Sequence, residues 1–80
     1  MALIRRFIEG HQSVRLHPTE VDCYYQILGG DSPRVHLSTF GSDHRQSEPK
    51  SSQSIQLDEK RARQLIDILE RAFPAQRQQP

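Results

Sequence analysis

At Asp58 the hydrophobic pattern of this chain changes period, and that change fixes the order of its elements. Before it, residues 52–57 alternate, with Gln53, Ile55 and Leu57 on one side and Ser52, Ser54 and Gln56 on the other. After it, Ala62, Leu65, Ile66, Leu69, Ala72 and Phe73 recur at i, i+3, i+4, i+7 spacing, a stripe that Ile68 broadens. A period of two marks a half-buried strand, and a period near 3.6 marks an amphipathic helix. Asp58 stands at the joint as a helix N-cap, and Glu59 suits the positive end of the helix dipole. Pro74 stops the helix, because the residue before a proline disfavours the helical region.

The same alternation runs upstream. In 34–40, Val35, Leu37 and Thr39 face one way and Arg34, His36, Ser38 and Phe40 the other. In 21–28, Val21, Cys23, Tyr25 and Ile27 form the expected core side, opposite Asp22, Tyr24, Gln26 and Leu28. Residues 29–33 (two glycines, Asp31, Ser32 and Pro33) close a hairpin between these strands. Residues 13–17 also alternate, with Val14 and Leu16 on one face, and 18–20 read as a turn. Residues 2–8 fit a short helix or a short strand. The expected fold class is α+β. It has a curved antiparallel sheet of about four strands and one C-terminal amphipathic helix packed on the sheet's concave side, with an additional N-terminal helix or strand possible. One domain spans 1–75 and a disordered polar tail 76–80.

Eighty residues, 34% of them apolar, allow one thin core. Mean hydropathy is −0.77. Oligomerisation is the expected remedy, and the helix stripe is the expected seam of a homodimer, through Leu65, Ile68, Leu69 and Phe73. A net charge of +1, from eleven basic and ten acidic residues, argues against coating duplex DNA by charge alone. The single cysteine, Cys23, excludes an internal disulfide and is expected to be buried and unreactive. There is no apolar run of membrane-spanning length and no signal-peptide core, so the expectation is a cytoplasmic chain with no membrane partner.

Four chemistries bear on the polar residues. Serines near His36 and His44 lack a nucleophile elbow, so no catalytic residue is assigned and the chain is read as non-enzymatic. His36, Asp43 and His44, with Cys23 or His17, lack ligand spacing, so no metal and no cofactor are assigned. Gly29 and Gly30 are followed by Asp31 and Pro33 rather than by a helix or a lysine, which is a turn and not a phosphate cradle. The fourth reading is single-stranded nucleic acid, DNA or RNA. Tyr24, Gln26, Arg34, His36, Ser38 and Phe40 share the outward face, and the loop at 41–53 adds His44, Arg45, Lys50, Ser51 and Ser52. Rings for stacking, interleaved with cations and hydroxyls for phosphate, suit a single strand. The rival is a regulatory module that presents the 41–53 loop to a protein partner.

The order strand 34–40, polar loop, strand ending at Asp58, helix 59–73 resembles the positive-cofactor-four type of transcriptional coactivator. The resemblance covers about half the chain. It implies a strongly curved antiparallel four-stranded sheet with one C-terminal helix. It also implies homodimers paired through their helices, and single-stranded DNA held on the sheet. By position, Phe40 would stack on a base, and Arg45 and Lys50 would clamp the nucleic-acid backbone.

Overall fold

A computed structural model describes residues 1–40 and 51–74, except for the side chains of Ser51 and Ser52. The elements are β1 (Ala2–Leu3), β2 (Cys23–Leu28), β3 (Arg34–Phe40), β4 (Ser51–Asp58) and α1 (Glu59–Ala72). All four strands join one sheet in the order β1-β4-β3-β2. The fold is α+β with a mixed sheet. β2, β3 and β4 are antiparallel neighbours, and β1 runs parallel to β4 along the outer edge.

The hairpin between β2 and β3 turns through Gly30, whose φ of 107° is a conformation that a side chain would strain. Its register runs unbroken from Cys23 opposite Thr39 to Leu28 opposite Arg34. β3 and β4 pair from Arg34 with Asp58 to Thr39 with Gln53, after which Phe40 pairs with Ser51. Residue 52 is therefore skipped, a bulge that locally increases twist.

These registers sort the side chains into two faces as the alternation predicts. The rows Cys23–Thr39–Gln53, Tyr25–Leu37–Ile55 and Ile27–Val35–Leu57 make an apolar face. The rows Tyr24–Ser38–Ser54, Gln26–His36–Gln56 and Leu28–Arg34–Asp58 make a polar one.

α1 begins at the residue after β4 ends. The Asp58 carboxylate accepts a hydrogen bond from the Arg61 amide at 2.9 Å, so Asp58 is the N-cap. At the far end the Phe73 amide donates to the Leu69 carbonyl at 2.8 Å, just before Pro74. The first turn of α1 lies over one row of the apolar face, where Ala62 borders a groove with Ile27, Val35 and Leu57. The rest of the helix rests on the N-terminal segment. Arg61 Nε donates to the Arg5 carbonyl, and Gln64 Nε2 donates to the Phe7 carbonyl at 3.4 Å. The Ile4 amide donates to the Gln56 carbonyl at 2.9 Å, so the pairing with β4 continues one residue past β1, while residues 4–8 are neither helix nor strand. No helix among the described residues is long and apolar enough to cross a membrane.

Three expectations are corrected. Residues 13–17 form no strand and 18–20 no turn; every residue from 8 to 22 is exposed. Alternation supplies two faces but no pairing partner, and 18–22 contain no glycine or asparagine to reverse the chain. Cys23 is exposed rather than buried. Its face was read correctly, but the helix covers the row nearest Asp58 and leaves the row of Cys23 open. Val21, Tyr25 and Ile27 are likewise exposed rather than core: the helix meets the sheet at β4, so even in the row nearest Asp58 the β2 residue Ile27 stays open, and the helix is not laid across the sheet. Among the described residues Leu57, at 3% exposure, is the one buried apolar side chain.

Leu57→Ala should therefore cost more than any other apolar truncation in the sheet, about 2–5 kcal/mol. Urea denaturation would read this as a lower midpoint. An unchanged midpoint would show that the helix does not pack on Leu57.

Candidate nucleic-acid interface

The polar face carries two clusters. At the bulged end, the rings of Tyr24 and Phe40 meet edge to face, with centroids 5.1 Å apart and planes at 78°. Tyr24 stands opposite Ser38, and Phe40 lies two residues along the same strand from Ser38. Diagonal neighbours of this kind touch on a pleated sheet. Ser38, between them, is buried at 8% exposure, whereas Tyr24 remains 58% exposed. The bulge sits beside this pair, so the two chain ends of the 41–50 segment, Phe40 and Ser51, are register partners at the aromatic end.

At the other end, Arg34, Gln56 and His36 form a chain of hydrogen bonds. Arg34 Nη1 donates to Gln56 Oε1 at 3.1 Å, and Gln56 Nε2 lies 3.1 Å from His36 Nδ1. A guanidinium can only donate, so the amide oxygen of Gln56 must face it. The amide nitrogen then faces the imidazole and donates to it. His36 Nδ1 is therefore the accepting nitrogen and Nε2 carries the proton. All three side chains are half-buried. The network fixes a guanidinium and an imidazole N–H on one strip of sheet. With a strand rise of about 3.3 Å per residue, the strip from Phe40 to Arg34 is about 20 Å long.

Of the sequence-predicted contacts, Tyr24, Arg34, His36 and Phe40 share this face. His44, Arg45, Lys50 and the side chain of Ser52 lie outside the described residues, as does the tail at 76–80. Gln56 was missed as a site residue, although its parity with Ser54 already placed it on the polar side. Its role depends on standing opposite His36 across β3 and β4, which no local pattern shows. Cys23 and His36 project from opposite faces and cannot share a metal. Among the described residues no three His, Cys, Asp or Glu side chains cluster as metal ligands.

On the helix, Leu65 and Ile68 are half-buried within the chain, while Leu69 and Phe73 are 47% and 75% exposed. With Tyr25, Ile27 and Ile66, at 70%, 75% and 50% exposure, they leave much large apolar side chain in water. No family model, no curated protein and no solved structure matches the chain.

The hydrogen-bond chain gives a direct spectroscopic expectation. At alkaline pH the ¹⁵N spectrum of the His36 ring should show Nδ1 unprotonated and Nε2 protonated, and Gln56→Ala should loosen that preference. Protonation at Nδ1 instead would mean that the Gln56 amide is reversed and not held by Arg34.

Proposed function

We propose that this chain is a non-enzymatic protein that binds single-stranded nucleic acid on its polar sheet face and works as a homodimer. The observation that supports it is the composition of that face: an edge-to-face aromatic pair at one end and the Arg34–Gln56–His36 chain at the other. Bases stack on exposed rings whatever their sequence, and each stacking contact contributes about 1–3 kcal/mol. The guanidinium and the imidazole N–H are donors for phosphate or for base edges. Phe40 and Ser51, register partners at the aromatic end, flank a stretch of sequence that contains His44, Arg45 and Lys50. This reading agrees with the resemblance to the positive-cofactor-four type of coactivator.

The homodimer is supported by what the single chain leaves uncovered. One buried apolar side chain among the described residues is a small core. Each large side chain brought from full exposure out of water contributes about 1.5–3 kcal/mol. Leu69, Phe73 and Ile66 on the helix, and Tyr25 and Ile27 on the sheet, offer that gain to a second copy.

Binding should be measured by fluorescence anisotropy with labelled single-stranded and duplex oligonucleotides at several salt concentrations. Phe40→Ala or Tyr24→Ala should each weaken single-strand binding by about 1–3 kcal/mol with little change in salt slope. Arg34→Ala should reduce the slope by about 0.7, the single-strand value per phosphate. If all three fold normally and bind as the wild type does, the polar face is not the interface. A nuclease-insensitive partner protein retained in a pull-down would then favour the regulatory-module reading.

The dimer has its own test in Cys23, which lies on the open apolar face. Its reaction with a thiol reagent should slow as protein concentration rises, and Leu69→Asp should abolish that dependence by placing a charge in the seam. A rate independent of concentration, together with a light-scattering mass of 9.3 kDa at every concentration, would remove the dimer.

A further inference from the structure

We propose that Arg5 extends the nucleic-acid surface past the outer edge of β4, where its guanidinium takes a phosphate of the bound single strand. The inference rests on the nucleic-acid reading and adds to it a cation that the three antiparallel strands do not supply.

Register brings the start of the chain to the polar face. Leu3 pairs with Gln56 in the parallel ladder, and Gln56 pairs with His36 in the antiparallel one. Residues paired in register point to the same side of a sheet. The row Gln26–His36–Gln56 therefore gains a fourth member, Leu3, which is 47% exposed. With neighbouring strands about 4.8 Å apart, Leu3 lies about 10 Å across the sheet from His36.

The two residues after Leu3 are fixed from two directions. The Ile4 amide donates to the Gln56 carbonyl at 2.9 Å, and the Arg5 carbonyl accepts from Arg61 Nε in the first turn of α1. Ile4 is half-buried, whereas Arg5 is exposed. Arg5 is thus anchored through its backbone near the end of β4, and its side chain takes no part in the anchoring. A guanidinium carried on a fixed backbone and standing in water is suited to a ligand phosphate.

The two carboxylates at the joint of β4 and α1 are already engaged. Asp58 accepts from the Arg61 amide at 2.9 Å, and Glu59 pairs with Arg63 at 2.9 Å. Among the described residues no ion pair involves Arg5 or Arg34. Arg34 stands in β3 opposite Asp58, and Arg5 follows Leu3 on the other side of β4. The two arginines therefore flank the end of β4. A single strand that places a phosphate at each runs from the Tyr24–Phe40 pair to Arg34 and then crosses β4 to its outer edge.

The test is fluorescence anisotropy of the full chain with labelled oligothymidine at several salt concentrations. Arg5→Ala keeps the carbonyl that Arg61 holds, so helical circular dichroism and the urea midpoint should not change. Its salt slope should fall by about 0.7 relative to the wild type, the single-strand value per phosphate. Arg5→Lys retains the cation and should retain the slope. Arg71→Ala makes the same change of net charge about 15 Å farther along α1 than Arg61, and should leave the slope unchanged. Equal losses in Arg5→Ala and Arg71→Ala would show a general effect of charge, and an unchanged slope in Arg5→Ala would show no contact; either overturns the proposal. In both cases weakened binding in Phe40→Ala and Arg34→Ala would leave the nucleic-acid reading standing. A wild-type chain that binds no oligothymidine would instead remove that reading, and this proposal with it.

Discussion

The architecture depends on a joint with no loop in it. β4 ends at Asp58, α1 begins at Glu59, and the Asp58 carboxylate caps the helix by accepting from the Arg61 amide. A direct joint leaves the helix little freedom to choose where it lies. Its first turn falls at the β4 end of the row Ile27–Val35–Leu57, where Leu57 is buried and Ile27 is not, and the remaining turns run along the N-terminal segment. Two hydrogen bonds from Arg61 and Gln64 to backbone carbonyls of that segment hold this second contact. The exposed ion pair between Glu59 and Arg63, 2.9 Å across one helical turn, adds little. The sheet rows farther from the joint stay open, and the second copy in the proposed function answers that opening.

Much of this was readable in the residues, because local physics decides it. The alternation from Arg34 to Phe40 gave both the strand and its faces. Asp58 and Pro74 bracketed the helix, and the glycine pair at 29–30 marked the turn. What the residues did not show was contact between segments distant in sequence. Nothing in Ala2 or Leu3 announces a parallel partner in Ile55 and Gln56. The alternation around Cys23 assigned its face correctly, but burial also depends on what lies over that face, and this was set by the joint at Asp58. The strand pattern at 13–17 failed for the same reason: a pattern describes a segment, while a strand requires an edge. For the candidate site, the parity of Tyr24, Arg34, His36 and Phe40 was visible, whereas the bridging role of Gln56 needed the register between β3 and β4.

The pleat keeps two kinds of chemistry apart. Because neighbouring residues point to opposite faces, the apolar rows and the polar rows come from the same three strands without mixing. A slip of one residue in either pairing would carry apolar side chains such as Tyr25 or Ile55 to the polar side, so the registers that make the apolar face also make the polar strip. The bulge at residue 52 is the one interruption. It lies where the 41–50 segment leaves and rejoins the sheet, beside the Tyr24–Phe40 pair, and bulges often mark positions where a side chain is re-aimed.

This separation also determines how the two proposed activities depend on each other. If much of the apolar face is covered only by a second copy, the folded population rises with protein concentration, because association draws on the folded form. Substitutions at Leu69 or Phe73 would then weaken nucleic-acid binding without touching the nucleic acid, by lowering the amount of folded dimer, and added protein would partly restore binding. Substitutions at Phe40 or Arg34 would act on the contact itself and would not be rescued by concentration. The response of each variant to protein concentration thus distinguishes a residue that builds the platform from one that binds on it.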